Sequence, residues 1–308
     1  MAGDTRSTRR LRVGRREIEV KRAGKELFPQ DGITKADLVG HYRRVAPRML
    51  PELRGRPLML ERMPDGIEAD RFFQKEVSAY FPDWIHRATV PKGGGEVTHV
   101  LCDDTATLTY LAGQACVTPH RWLSRADKPR SPDRLVFDLD PPAHDFAPVR
   151  RAAHHLRALL DELGLHAGLM TTGSRGLHVV VPLNRRADVD AVLTFARDVA
   201  DALAARHPDE LTTEFYKDAR EGRLYLDVGR NGYAQTAVAP YAVRAKPGAP
   251  VAVPLTWDEL DTPGLTARSW TVTDLGDRLD TDPWEGLARH RHGLTEAGRR
   301  LRALRPPS

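Results

Sequence analysis

Only two cysteines, Cys102 and Cys116, occur in 308 residues. Two thiols cannot build a four-ligand thiolate zinc site or a disulfide framework, so they read as small apolar filler in a reducing compartment. No apolar run is long enough to cross a bilayer, and the N-terminus lacks a signal peptide's apolar segment; a cytoplasmic protein without a membrane partner is expected. There is no internal repeat and no long linker. What remains is an ordinary globular composition, 41% hydrophobic and 29% charged, in a chain long enough for one large domain or two small ones. The net charge of +5 permits nucleic-acid binding without requiring it. Arg6, Arg9, Arg10, Arg12, Arg15 and Arg16 crowd the start. They suit phosphate contacts or a solvated tail, and residues 1–10 are expected to be a disordered basic tail.

Periodicity assigns the rest. A short strand is expected over Ile18–Val20, then a helix capped by Thr34 that Pro47 ends. Residues 50–120 read as short strands, for example 57–61 and 84–89, with a flexible turn at Lys92–Gly95. Leu135–Asp140 is a strand stopped by Pro141-Pro142. An amphipathic helix follows over Pro148–Leu163, closed by Gly164. Strands at 168–172 and 177–181, a helix over 188–206 and strands at 224–227 and 236–239 complete a mixed α/β unit. Short packing helices with a frayed end are expected from Gly264 to Ser308.

The sharpest constellation is Phe137-Asp138-Leu139-Asp140-Pro141. Alternation along a strand puts Asp138 and Asp140 on one face and Leu139 on the other. Paired carboxylates repel unless a cation sits between them, and an all-oxygen donor set suits Mg²⁺ or Mn²⁺. Asp227, ending Leu224-Tyr225-Leu226-Asp227, offers a third carboxylate; three acids can hold two metals roughly 3.5–4 Å apart for displacement at phosphorus. The second constellation is the turn Thr171–His178, where Gly173 and Gly176 admit close approach and Thr172, Ser174, Arg175 and His178 offer donors to phosphate oxygens. Arg230, Arg244 and Lys246 would neutralise charge developing at phosphorus. Phe72 and Phe73, between Arg71 and Lys75, are core residues or a stacking platform for bases. Lys25 and Lys35 bracket a loop and are placed to grip a terminal phosphate.

In combination these segments resemble the polymerase domain of bacterial ligase D, in the archaeo-eukaryotic primase superfamily that serves non-homologous end joining. The resemblance runs from about Leu11 to about Leu260. It is carried by Lys25 and Lys35 around Phe28-Pro29, Phe72-Phe73-Gln74-Lys75, His120-Arg121-Trp122, Asp138-Leu139-Asp140-Pro141, Ser174–His178, Asp227 with Arg230-Asn231, and Ala237–Tyr241 leading to Arg244.

The resemblance implies an α/β (α+β) fold: a mixed-sheet primase-polymerase core with helices packed on it and an N-terminal strand/helix module. It implies a single domain over 11–308, made of a DNA-end-binding module (11–130), a catalytic core (131–260) and a C-terminal packing segment (261–308). Asp138, Asp140 and Asp227 would bind two Mn²⁺ or Mg²⁺ ions. Thr172, Ser174, Arg175 and His178 would hold a nucleoside triphosphate, with His120, Arg230 and Arg244 completing that pocket. Lys25 and Lys35 would recognise a downstream 5′-phosphate, and Phe72, Phe73 and Lys75 would contact the DNA end or template. Ribonucleotide use is implied as well.

The chain departs from the family pattern in Thr172 for Ser, Arg175 for Lys, Gln114–His120, and Val228-Gly229 after Asp227. A Lys-x-Asp-Gly ligase nucleophile is missing, since Pro29 and Met63 stand at the lysine positions before the Asp-Gly pairs at Asp31 and Asp65. A stand-alone, nucleoid-associated polymerase is therefore expected. It would act on DNA ends and gapped duplex with a separate ATP-dependent DNA ligase and a Ku-type end-binding protein. Two alternatives are a haloacid-dehalogenase-like phosphohydrolase, which Pro141-Pro142 in place of Gly-Thr argues against, and an inactive DNA end-bridging module.

Overall fold

The computed structural model describes residues 7–143 and 145–304. In chain order the elements are β1 (Arg9–Val13), β2 (Arg16–Val20), β3 (Glu26–Phe28), β4 (Ile33–Thr34), α1 (Lys35–Leu53), β5 (Leu58–Arg62) and β6 (Phe72–Gln74). Then come β7 (Arg87–Lys92), β8 (Gly95–Val100), α2 (Thr105–Gly113), β9 (Cys116–Trp122), β10 (Arg134–Asp140), α3 (Ala147–Glu162), β11 (Gly168–Thr171) and β12 (Leu177–Pro182). The remainder is α4 (Val189–Arg206), β13 (Leu211–Thr212), β14 (Leu224–Asp227), β15 (Thr236–Val238), β16 (Pro254–Leu255) and α5 (Leu294–Ala303). This is the expected mixed α/β class. Among the described residues no helix is long and apolar enough to cross a membrane.

The chain divides into two compact units, each built from separate stretches. Unit 1 runs to Trp122 and regains Thr236–Val253 and Trp270–Thr281; unit 2 takes Leu123–Gln235, Pro254–Ser269 and the chain from Asp282. The expected cuts at 130/131 and 260/261 therefore differ from the observed ones, because the chain returns to unit 1 twice after leaving it. Of the expected basic tail, residues 1–6 lie outside the described residues, whereas Arg9 and Arg10 belong to β1. That strand pairs antiparallel with β2 from Arg9↔Val20 to Val13↔Arg16.

In unit 1, Thr34 caps α1 with a reciprocal box. Its hydroxyl accepts from the Asp37 N–H at 3.3 Å, and the Asp37 carboxylate accepts from the Thr34 N–H at 2.8 Å. The helix does not stop at Pro47 as expected; it continues through Pro47 and Pro51 to Leu53. Both prolines sit on its exposed face, where water can serve the carbonyls they leave without an N–H partner. The opposite face buries Leu38, Tyr42, Val45, Met49, Leu50 and Leu53, which outweighs the two lost bonds. The sheet β15-β9-β5-β6 and the hairpin β7–β8 complete the unit's strands. The expected strand from Trp84 begins only at Arg87, and the Gly93-Gly94 turn closes the hairpin.

Unit 2 is built on the six-stranded sheet β13-β14-β10-β12-β11-β16. Every neighbouring pair is antiparallel except β13–β14. Helix α3 buries Val149, Ala152, Leu156, Leu159 and Leu160, and Gly164, just past its end, takes the left-handed φ of +73° that stops the helix. Burying each large apolar side chain of that stripe contributes about 1.5–3 kcal/mol. This makes β10, in the middle of the sheet, a rigid platform for the residues at its end.

Candidate active site

Strand register brings the acidic residues together. Asp138 lies directly opposite Asp227 on one side and His178 on the other, and Asp140 lies opposite Tyr225. A row Asp227–Asp138–His178 therefore crosses β14, β10 and β12, with Asp140 two residues along the same face. His178 is almost fully buried, its Nε2 3.5 Å from Asp138 Oδ2, and Arg230 Nε stands 3.6 Å from the same oxygen. Asp140 is met by Arg175 at 3.0 Å and Arg220 at 3.6 Å. Burial pushes the Asp227 carboxyl above the usual range, and the neighbouring charges of Asp138 and Asp140 add to this. The Gly229 N–H and Arg230 only partly offset them.

Asn231 sets the frame behind this row. It is 1% exposed, accepts from the Val136 N–H at 2.9 Å, and donates to the carbonyls of Val136 at 2.7 Å and Val228 at 2.9 Å. It thereby ties the turn that carries Arg230 to the back of β10. Asn231→Ala would strand the buried Val136 N–H and carbonyl, while the Val228 carbonyl keeps the backbone N–H of residue 231, so a loss of about 2–4 kcal/mol is expected in urea denaturation. A change under about 0.5 kcal/mol would show that the bridge is dispensable.

The turn between β11 and β12 is held by Thr172. Its hydroxyl donates to the Gly176 carbonyl at 3.0 Å and accepts from the N–H groups of Ser174 and Gly176, each at 3.3 Å. The hydroxyl proton is directed inside the turn, so Thr172 braces the loop. The Ser174 carbonyl accepts from Arg268 Nε at 2.8 Å, a second tie. Arg175 points at Asp140; that pair is 37% and 28% exposed, worth at most about 1 kcal/mol, and so open to exchange.

Three carboxylates form an all-oxygen donor set suited to a hard divalent cation, and they stand on one face of a rigid strand pair. Asp138, Asp140 and Asp227 thus fit a metal chemically. Among the described residues, the one trio whose ligand atoms all lie within 4.8 Å of one another is a different set, His155, His207 and Glu210. There the two imidazoles stack at 3.7 Å with planes 22° apart, so their in-plane lone pairs run nearly parallel and do not converge. Arg151 already holds Glu210 at 2.7 Å. Arginines approach the oxygens of two of the aspartates, Arg230 at Asp138 and Arg175 and Arg220 at Asp140.

The other expected site residues belong to unit 1. His120 Nε2 lies 3.4 Å from Glu61, which Arg71 also reaches at 3.2 Å. Burial would raise the Glu61 carboxyl, but the His120 hydrogen bond and charge, with Arg244 and Thr118, hold it below the usual range. Arg121 is buried against Glu52 at 2.9 Å, so of that motif only His120 is partly open. Phe72 and Phe73 are 43% and 50% exposed, not core; Arg62 lies over the Phe72 ring and Arg71 over the Phe73 ring. Lys75 is exposed beside them. The Lys35 N–H donates to the Lys25 carbonyl, Lys25 pairs with Asp65, and the Lys35 ammonium donates to the Lys21 carbonyl at 3.0 Å. Burial, reinforced by Arg22, Lys25 and Arg62, lowers Lys35 to about 8.

A model of the LigD primase-polymerase domain matches residues 34–284. This chain belongs to that family. The LigD primase-polymerase chain is 34% identical to the multifunctional non-homologous end joining DNA repair protein LigD of Mycobacterium tuberculosis, over 86% of its own length and 37% of that protein's. It is 33% identical to LigD of Pseudomonas aeruginosa over 92% and 34% of the two chains. With the bifunctional LigD of Bacillus subtilis it shares 30% identity over 83% and 41%. It therefore spans about a third to two fifths of these relatives. A solved polymerase domain from Mycobacterium tuberculosis ligase D, in complex with DNA, superimposes with a TM-score of 0.81 at 32% identity, covering 88% of this chain and 97% of that one.

Two residues that contact expected site residues, each within its own unit, escaped the sequence reading. Arg220 reaches Asp140 from the loop before β14, lies 4.0 Å over the Tyr225 ring, and is braced by its donations to the carbonyls of Glu214 and Phe215. Glu61 orients His120. Neither has a local motif; Arg220 is brought to Asp140 by the turn before β14 and Glu61 to His120 by the pairing of β5 with β9.

Proposed function

We propose that this chain is a template-dependent nucleotidyl transferase that extends primers and fills gaps at DNA ends in non-homologous end joining, using Mn²⁺ or Mg²⁺. The row Asp227–Asp138–His178, with Asp140 beside it, carries the reading within a family of primase-polymerases. No observation favours a phosphohydrolase or an inactive bridging module.

Asp138, Asp140 and Asp227 would hold divalent ions, which activate the primer 3′-hydroxyl and shield the phosphates when bound. His178 and Ser174 would donate to triphosphate oxygens, Arg175 would exchange Asp140 for phosphate, and Arg230 would neutralise charge at the reacting phosphorus. His120 and Arg244 are assigned the nucleotide contacts that family membership implies. Phe72, Phe73 and Lys75 would stack on and grip the DNA end. A separate DNA ligase and a Ku-type end-binding protein would be its partners. Extension of a 5′-phosphorylated gapped duplex, with ribo- and deoxyribonucleotides in Mg²⁺ and in Mn²⁺, tests the proposal. No extension under any of these conditions defeats it.

Lys25 and Lys35 would take the downstream 5′-phosphate. Lys25→Ala or Lys35→Ala should reduce the preference for a phosphorylated over a hydroxyl gap end while sparing a simple primer. The charge of Lys35 is full well below pH 8 and is lost as pH rises through about 8, about two units earlier than an ordinary lysine. The phosphate preference should therefore decline between pH 7 and 9, by up to about tenfold per unit above 8. It should stay flat over that range in Lys35→Arg. A flat profile in the unaltered chain would remove Lys35 from this role.

A further inference from the structure

The arginines at the start of the chain remain unaccounted for by the site above. Hairpin β1–β2, the exposed side of α1 and the start of α2 enclose a groove of about 840 Å³. Arg12, Arg15, Arg16, Arg43 and Arg44 line it, with Asp104 as the single acid. That acid is already spent: Arg16 holds it at 2.6 Å, and its other oxygen accepts from the Thr107 N–H at 2.7 Å. Glu17 lies across the strand pair from Arg12, but its carboxylate is engaged by Arg10. Arg44 donates to the Val272 carbonyl, which carries no formal charge. Arg12, Arg15 and Arg43 have no acidic partner among the described residues.

Five guanidinium groups facing one neutralised carboxylate form a positive field that attracts anions. These arginines come from one helix, α1, and from a hairpin whose turn is set by a left-handed Gly14 (φ +61°), so folded elements bring their backbone positions together. The groove shares no residue with the Lys25–Lys35 cluster or with Phe72 and Phe73. No aromatic ring lines it, and Trp84 is covered by Arg16 at 4.5 Å. Single-strand binders place rings along the path for bases to stack on; a groove of arginines alone offers contacts to phosphates and none to bases.

We propose that this arginine groove is a second DNA contact, one that grips the phosphodiester backbone of the duplex without reading its sequence. The inference rests on the DNA-end function proposed above. Each guanidinium that neutralises a phosphate releases counterions, so the groove would set how steeply affinity falls with salt.

The test is equilibrium binding of a fluorescent blunt hairpin duplex across a salt series, measured by anisotropy with no nucleotide or chemistry involved. For Arg12→Ala/Arg15→Ala/Arg43→Ala the expected result is at least a tenfold weaker Kd near 0.1 M salt. The log–log salt slope should be shallower by about 2–3. Arg12→Lys/Arg15→Lys/Arg43→Lys should restore most of the slope, because charge alone is required. Thermal melting confirms that both variants fold.

A triple alanine variant that folds and binds duplex with the parent's slope overturns the groove and leaves the polymerase reading standing. Loss of affinity for a single-stranded oligonucleotide or for ATP, with duplex binding unchanged, also overturns it, since the groove would then serve another phosphate source. A parent chain that does not bind duplex at all sinks both readings.

Discussion

Asp138→Ala is expected to lower primer extension by about 10³-fold or more while leaving the fold intact. Asp138 is the centre of the row, with Asp227 opposite on one strand and His178 on the other, and it alone is approached by both His178 and Arg230. Its removal would take away an oxygen of the proposed metal-binding set and the carboxylate that the His178 imidazole approaches at 3.5 Å. Stability should not suffer. Crowding by Asp138 and Asp140 adds to the burial that raises the Asp227 carboxyl, so deleting one acid relieves repulsion. Stability should also depend on pH in a set direction. Asp227 has a folded pKa above its unfolded one, so its contribution is fully present below the unfolded pKa and is lost as pH rises through the folded pKa. Melting temperatures of parent and variant should therefore converge in acid, with the variant equal or higher near pH 7. A variant that extends primers at the parental rate would remove these aspartates from the chemistry. One that is inactive because it melts early would make Asp138 a structural residue.

How much of this was legible before the structure depended on whether local pattern and tertiary demand agreed. Helix α3 was readable because its apolar residues make one stripe and a glycine stops it. Strand β10 was readable because alternation and two prolines bound it. Helix α2 was not: its face-on positions and its flanks are all buried, Thr107 and Thr109 included, so no stripe exists and its β-branched threonines read as strand. Helix α1 ran past its prolines because they fall on the solvent side, which spacing alone does not reveal. The arginine-rich start hid β1, the partner of the strand expected over Ile18–Val20, since charge at nearly every position masks the pairing of Leu11 with Ile18.

In the site, the aspartates were found from their strand-end context, but partners set by register were not. Arg220 lies eighty residues from Asp140 in the chain, so nothing local links them (220 minus 140). The bonds by which the Thr172 hydroxyl closes its own turn were not legible either, because they depend on the turn's folded shape. A resemblance located the positions; packing decided which way each side chain points.

Gly176→Ala should be the most damaging substitution that alters no charge and removes no donor. A Cβ at this position would lie 1.9 Å from the Leu139 carbonyl oxygen and 3.0 Å from its carbon, inside any tolerable contact. Both are backbone atoms of β10, so no side chain can rotate away. Either β12 lifts off β10, or the turn moves. The first breaks the pairing at Leu139↔Leu177 and Asp138↔His178; the second breaks the bonds by which Thr172 closes the loop. A loss of about 2–4 kcal/mol is expected in urea denaturation. Extension should fall about 10²-fold even where the variant is folded, because Ser174, Arg175 and His178 shift together relative to Asp138. Gly222→Asn is the matched control: its φ is +78° with nothing near a Cβ, and asparagine accepts that conformation. It should cost under about 1 kcal/mol. Equal stability of the two variants would mean that the approach of the turn to Leu139 does not constrain residue 176, and that the turn between β11 and β12 is set by something other than this glycine.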